Sequence, residues 1–322
     1  MAQILQPTPE NLDRLTTALA DGEIAAVPTE TVYGLAGNAL DPQAIARIYE
    51  AKGRPARNPL IVHIEDLGQL EQIAQPSELA NRLADAFWPG PLTLILPKRP
   101  SVPDSVTASL DTVAVRMPAH PIYRQLAERC PFPIAAPSAN PFGYVSPTKA
   151  EHVKEQMEDK IDWILDGGPC ERGIESTILS LADPQQPTLL RHGSISSEKL
   201  EDVLGLKIHT PDTRAADKGQ NLPSPGLMKR HYSPNTPVNL FEGQAPESSS
   251  SSAIVFINSA SCSKPNHFAL SEDGELEEVA RKLYDLLQEL DHQSFEGIYM
   301  ELPKDIGTGT AIRDRMHRAA AR

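Results

Sequence analysis

Apolar positions along the chain follow two rhythms. Leu12, Leu15 and Leu19 recur at helical spacing between Asn11 and Ala20, and Leu79, Leu83 and Phe87 do so between Pro76 and Trp88. Pro121 to Arg129 reads as a further helix. Between these lie short apolar runs that fit buried strands: Ile24 to Val27, Leu60 to Ile64, Leu92 to Leu96, Val113 to Arg116, Ile134 to Ala136, Trp163 to Leu165, Ser176 to Leu181 and Thr188 to Arg191. Helices and strands alternate without a strict βαβ order, which predicts an α/β fold on a mixed sheet. From His209 to Pro237 the periodicity vanishes, and Pro211, Pro223, Pro225, Pro234 and Pro237 fall there. A connection that long marks a linker or a lid. Beyond it, Ala253 to Ile257 and Gly297 to Met300 read as strands. Glu275 to Leu290 is a helix with a broad stripe of Leu276, Val279, Ala280, Leu283, Leu286, Leu287 and Leu290, and Thr310 to Ala320 is a last helix. The expected organisation is residues 1–207, a proline-rich linker over 208–237, and a smaller α/β domain over 238–322, with Ser248 to Ser252 as a flexible insertion.

The stretch from Val27 to Ile64 concentrates the chemistry. If Pro28 to Thr31 run extended, Thr29 and Thr31 share a face and Glu30 takes the other. Gly34 and Gly37 free the backbone to turn or to approach a ligand closely. Asp41-Pro42 forms a helix start, with Asp at the cap and Pro in the first helical position. Gln43 to Glu50 continues it, and Gly53 and Pro55 end it. Ser146-Pro147 predicts another helix start by the same logic. The loop Lys52-Gly53-Arg54-Pro55-Ala56-Arg57-Asn58-Pro59 holds three cations in six residues, between a helix end and a strand, and two prolines stiffen it. A solvated helix end explains one such charge. Three in a stiff loop favour an anion site, with Lys as point charge and Arg as planar fork.

Composition narrows the reading. The chain has 322 residues and a formal net charge of −13. An acidic protein does not hold long nucleic acid by charge alone, so a local basic loop favours a small anionic ligand. No apolar run approaches the ~20 residues of a membrane span, and the N-terminus does not read as a targeting peptide. Cys130, Cys170 and Cys262 match no zinc or CxxC spacing, so free thiols in a reducing cytoplasm are expected. No Walker motif, HExxH, GxSxG or full dinucleotide fingerprint occurs. Gly307-Thr308-Gly309 is read as a capping turn.

PTETVYGL, AKGRPARNPLIVHI, FWPGPLTLIL, VAVRMP, APSANPFGYVSPT, GIESTI and LLRHGSIS together resemble the YrdC-like threonylcarbamoyl-AMP synthases, almost continuously over residues 10–205. SPGLMKRHYSPNTP and GTGTAIRDRMHRAA resemble the longer, two-domain branch. The resemblance implies a twisted mixed sheet with a concave ligand face and a smaller Rossmann-like C-terminal domain. It implies an enzyme that makes L-threonylcarbamoyladenylate and pyrophosphate from L-threonine, bicarbonate and ATP, for tRNA modification by a downstream threonylcarbamoyl transferase. It implies a catalytic tetrad of Lys52, Arg54, Ser138 and Asn140. Thr31, His63, Arg116, Ala136 and Ser176 would contact threonine. Arg54, Asn58, Thr112, Ser138, Ser146, Arg191 and Tyr232 would hold ATP, with Mg2+ carried mainly on the phosphates and no protein metal site. Tyr232 lies in the linker, so the linker is expected to fold back as a lid that excludes water. No membrane association and no stable nucleic-acid complex are expected. Two other readings stand beside this one: a non-catalytic RNA-binding module, and a carbamoyl-transfer enzyme of the hydrogenase-maturation kind, for which the cysteine pattern is missing.

Overall fold

The computed structural model describes residues 1–211, 224, 226, 228, 230–247 and 249–321. Pro223, Pro225, Leu227, Lys229, Ser248 and Arg322, named above in the linker, the serine run and the last domain, lie outside the described residues. In chain order the first part comprises β1 (Gln3–Leu5), α1 (Pro9–Ala20), β2 (Ala25–Val27), β3 (Gly34–Asn38), α2 (Pro42–Lys52), β4 (Ile61–His63), α3 (Leu67–Ile73), α4 (Glu78–Phe87) and β5 (Leu92–Pro97). It continues through α5 (Asp104–Thr107), β6 (Thr112–Arg116), α6 (Pro121–Ala127), β7 (Ile134–Ala135), α7 (Ala150–Met157), β8 (Trp163–Leu165), β9 (Thr177–Ser180), β10 (Thr188–Arg191) and α8 (Ser197–Leu204). The last part comprises β11 (Val238–Phe241), β12 (Ser252–Asn258), β13 (His267–Ser271), α9 (Leu276–Asp291), β14 (Gly297–Glu301) and α10 (Thr308–Ala320).

Among the described residues the strands form two sheets. The first is a ten-stranded mixed sheet in the order β1-β8-β2-β3-β7-β4-β6-β5-β9-β10. The second has four parallel strands in the order β11-β14-β12-β13. The mixed sheet arises because antiparallel steps such as β2 with β3 interrupt parallel ones such as β4 with β6.

Strand alternation decides where the site lies. Ala26, Leu35, Val62, Leu94 and Val115 face one way, into a core shared with Ile45 and Ile48 of α2, Leu70 of α3 and Leu83 of α4. On the other face Ala25, Val27, Ala36 and Ile134 pack against Leu12, Leu15 and Leu19 of α1 and Tyr123 of α6. That cover does not extend over β4, β6, β5 and β9. There Ile61, Ala114, Ile95 and Ile178 form a small separate cluster with Leu190 beside it. Ile61 pairs with Ala114, and Ala114 with Ile95. Two residues further along the same face, His63 pairs with Arg116, and Arg116 with Thr93. Side chains two apart share a face, so a polar row stands at the end of an apolar floor.

Local chemistry sets the elements. Asp41 caps α2, its carboxylate accepting from the Gln43 N–H at 2.8 Å, and Gly53 closes it with φ 61°. The helix expected from Ser146-Pro147 starts instead at Ala150, after Lys149. Ser146 gives its hydroxyl to Glu175 at 2.7 Å, and the Pro147 carbonyl accepts from Tyr33 N at 2.9 Å, so neither is free to open a helix. Gly34 and Gly37 do not turn the chain; they lie within β3. A Cβ on Gly37 would stand 3.0 Å from Ile48 Cδ1, so the glycine lets α2 approach the sheet.

Candidate active site

Pro28 to Thr31 leaves β2 as a turn rather than an extended segment. Thr29 Oγ1 accepts from Val32 N at 3.3 Å and donates to Val32 O at 2.7 Å. Thr29 and Thr31 share a side, as expected, with hydroxyls 2.9 Å apart. Glu30 does not face away as an extended chain would require. Its Oε1 stands 2.7 Å from Arg116 Nη2, while Arg116 Nη1 donates to Thr31 Oγ1 at 2.9 Å. Arg116 Nε donates to Gly90 O at 3.2 Å, and Glu30 Oε2 accepts from Ala119 N at 3.1 Å. The guanidinium is thus fixed on three sides. It has five N–H groups, so donors remain for a ligand carboxylate.

Three arginines meet at one cavity of about 50 Å3, walled by Arg54, Arg116 and Arg191 together with Thr31, His63, Ala136, Ser138, Ser176 and Tyr232. Arg54 is anchored through Nε to Asn58 O at 3.0 Å and through Nη2 to Asn58 Oδ1 and Pro59 O, both at 2.7 Å. Burial lowers it to about 10. Arg191 donates from Nε to Ser176 O and from Nη2 to Ser176 Oγ, both at 3.0 Å, and Thr93 Oγ1 meets the same hydroxyl at 2.7 Å. Burial, followed by Arg116, holds His63 well below the usual histidine value, so its ring is neutral. Its Nδ1 is buried with no hydrogen bond.

The remaining expected residues stand behind this wall. Lys52 is buried and donates to the carbonyls of Ser138 and Asn140, both at 2.6 Å. The K-x-R and S-x-N pairs therefore meet, but through main-chain oxygens. Burial, then Arg54 and Lys160, pulls Lys52 well below the ordinary lysine value. Asn140 turns its amide to Pro141 O at 2.8 Å and Tyr144 O at 3.0 Å. Asn58 holds Arg54, and Ser146 holds Glu175. Thr112 sits at the far end of β6, opposite Pro97, away from Arg116.

The linker covers the cavity. Gly226, His231 and Tyr232 line it. Tyr232 is buried with φ 62°, a left-handed conformation rare for a bulky residue, and its hydroxyl has no hydrogen bond. Packing holds it there: the ring stacks on Tyr284 at 5.6 Å and meets His231 edge-on at 4.2 Å. Burial pushes Tyr232 up and brings His231 down to about 3. Ser233 N donates to Gly143 O at 2.9 Å and ties the segment to the first part of the chain.

Sequence reasoning missed Glu175, His231, Tyr284 and Arg315. Glu175 lines the cavity. Its Oε1 accepts from Ser146, and its Oε2 from Tyr284 at 3.0 Å and Arg315 Nε at 2.8 Å. Burial raises the carboxyl, but Arg315, Arg191 and Ser146 outweigh it and hold Glu175 below its usual value. GIESTI and RDRMHR contain two of these residues, so the signal lay in quoted motifs, without a geometry to join them.

Two family models match the chain. The Sua5/YciO/YrdC model, described as telomere recombination, matches residues 17–193, and one described as threonylcarbamoyl-AMP synthase, C-terminal domain, matches residues 195–321. A threonylcarbamoyl-AMP synthase of Bacillus subtilis (strain 168) is 44% identical over 323 residues, covering 94% of this chain and 90% of that protein. One of Pyrococcus abyssi is 42% identical over 317 residues, covering 94% and 92%. The structure of P. abyssi Sua5 complexed with L-threonine matches with a TM-score of 0.89 at 38% identity, covering 99% of this chain and 98% of that one.

Proposed function

The chain belongs to the Sua5/YciO/YrdC family in its two-domain form, and from that premise we propose that it is an L-threonylcarbamoyladenylate synthase. L-threonine, bicarbonate and ATP give threonylcarbamoyl-AMP, pyrophosphate and water. One observation carries the reading: three buried arginines, a neutral histidine and a row of hydroxyls converge on one cavity under the linker.

The residues suit that chemistry. Arg116, braced by Glu30 and Gly90, offers its free N–H groups to the threonine carboxylate, and Thr31, Ala136 and Ser176 complete that end. The threonine amine must be neutral to capture carbon dioxide, and the uncharged His63 beside Arg116 offers an acceptor for it. The carbamate oxygen then attacks the α-phosphorus of ATP, and pyrophosphate leaves with the P–O electron pair. Arg54 and Arg191 face the charge that develops, Ser138 lines the same cavity, and Lys52 holds the Ser138–Asn140 loop in place. No protein nucleophile is required.

Magnesium enters as MgATP, held by phosphate oxygens and water. The wall fits that role. No group of three or more potential ligands occurs among the described residues, and Glu30 and Glu175 are committed to protein partners. We assign catalysis to residues 1–207, the lid to 208–237 and an accessory domain to 238–322. The adenylate passes to a tRNA threonylcarbamoyl transferase in the cytoplasm. No helix among the described residues is long and apolar enough to cross a membrane.

The test is pyrophosphate release from ATP by the full chain, with threonine and bicarbonate omitted in turn. Release that requires both supports the reading. Folded protein that releases none sinks it and turns attention to tRNA titration across salt.

A further inference from the structure

Arg315 lies on α10, yet its side chain reaches beyond its own domain, keeping only Nη1 on Asp314 Oδ2 at 2.7 Å. It is 0% exposed. Nε reaches Glu175 Oε2 at 2.8 Å, Nη2 reaches His192 O at 2.8 Å, and the guanidinium lies 5.2 Å from the centre of the Tyr232 ring. Tyr284 of α9 donates to the same carboxylate oxygen and stacks on Tyr232. A buried carboxylate in the cavity wall thus takes its counter-charge from the C-terminal domain.

Without Arg315, Glu175 would be a buried anion without a full partner, and such a group seizes the nearest cation. Arg191 is that cation. It lines the same cavity, and the two groups already act on each other's charge. Drawn onto Glu175, Arg191 would release Ser176 and spend on the protein the charge it offers a ligand. Ser146, Tyr232 and Ser176 would lose their settings together.

We propose that Arg315 is a positioning residue for the nucleotide end of the site: it satisfies Glu175 so that Arg191 stays free for ATP. The C-terminal domain then completes the active site rather than merely accompanying it. This rests on the ATP-binding reading above, and it concerns a residue that never touches the ligand.

The experiment is calorimetric titration of the full chain with ATP, and separately with L-threonine, at fixed pH. The variants are R315M, R315Q, and each combined with E175Q. R315M weakens ATP binding by about tenfold or more, roughly one partner's worth of coupling, and leaves threonine binding nearly unchanged. E175Q, added to R315M, removes the orphaned charge and restores most of the ATP affinity. R315Q is two bonds shorter, so its amide reaches the position of Nε and can keep a hydrogen bond to Glu175 without the charge; it is read the same way should R315M fail to fold. An unaltered ATP affinity in the single variants overturns the inference. So does a double variant no better than its single parent, since a packing role gains nothing from a second change. Equal loss of both ligands also counts against it. A wild-type chain that binds no ATP refutes instead the proposed function.

Discussion

Lys52 illustrates how a buried cation acts through the backbone. Its amine donates to two carbonyls at 2.6 Å and is pulled well below the ordinary lysine value, with burial the first cause and Arg54 and Lys160 after it. Lys52→Met should free the Ser138–Asn140 loop and weaken ATP binding roughly tenfold to a hundredfold, the worth of a charged hydrogen bond, read by calorimetric titration; undiminished affinity would deny Lys52 that bracing role. His231 makes a stability prediction. It titrates at about 3 in the folded chain, lowered by burial first, against 6.5 ordinarily. Between those values the unfolded chain holds the extra proton, so this contribution is complete above about pH 6.5 and is lost as pH falls toward 3. His231→Phe should flatten the melting temperature against pH across that window; an unchanged slope would refute the assignment. At this scale Lys52 and Arg54 were legible because the positive charges crowd one stiff loop at a helix end. Glu175 was not, because its meaning depends on Arg315, 140 positions away.

Elements were legible where their ends are chemically local. The α2 start at Asp41-Pro42 needs only its own cap, and it forms as expected. The α7 start at Ser146-Pro147 fails because distant groups, Glu175 and Tyr33, claim the capping atoms. β3 was missed because Gly34 and Gly37 look like a turn, whereas contact with Ala136 and Ile48 demands small residues in a strand. The two ends of α2 supply a paired test. Asp41→Ala removes a cap worth about 1 kcal/mol. Gly53→Ala forces an alanine into φ 61° and costs a similar ~1 kcal/mol, with no steric clash. Denaturant melts should place the two variants close together. Only Gly53→Ala should also lower adenylate synthesis severalfold, because Gly53 sets the angle between Lys52 and Arg54. Equal activity in the two would mean the helix end tolerates rotation.

Across the whole molecule the two sheets are not independent bodies. Val32, Val145 and Ile174 of the first part are buried in the same apolar cluster as Val279, Leu283 and Tyr284 of α9. Polar pairs rim that contact, including Tyr144 with Asp291, Lys149 with Asp285 and Gln156 with Gln288. Such residues read as ordinary surface in a sequence, so the linker was visible and the docking was not. Where the two parts meet, Gly173 adopts φ 73°, and a Cβ there would lie 2.4 Å from Arg281 Cα. Gly173→Val should separate the domains, costing several kcal/mol of stability through overpacking and strain. Limited proteolysis between residues 208 and 237 should accelerate, and ATP binding should fall. A chain truncated after Lys207 should lose adenylate synthesis more than it loses fold; undiminished synthesis would deny the linker its role as a lid. The ten-stranded sheet carries one more consequence, this time for how the protein is made. Among the described residues β1 pairs only with β8, Gln3 against Trp163, so this strand leaves the ribosome 160 residues before its neighbour exists. At a synthesis rate of about 5–20 residues per second, that is on the order of ten seconds during which the nascent edge has no partner. β1 must wait, with α1 shielding what it can, until the sheet closes behind it.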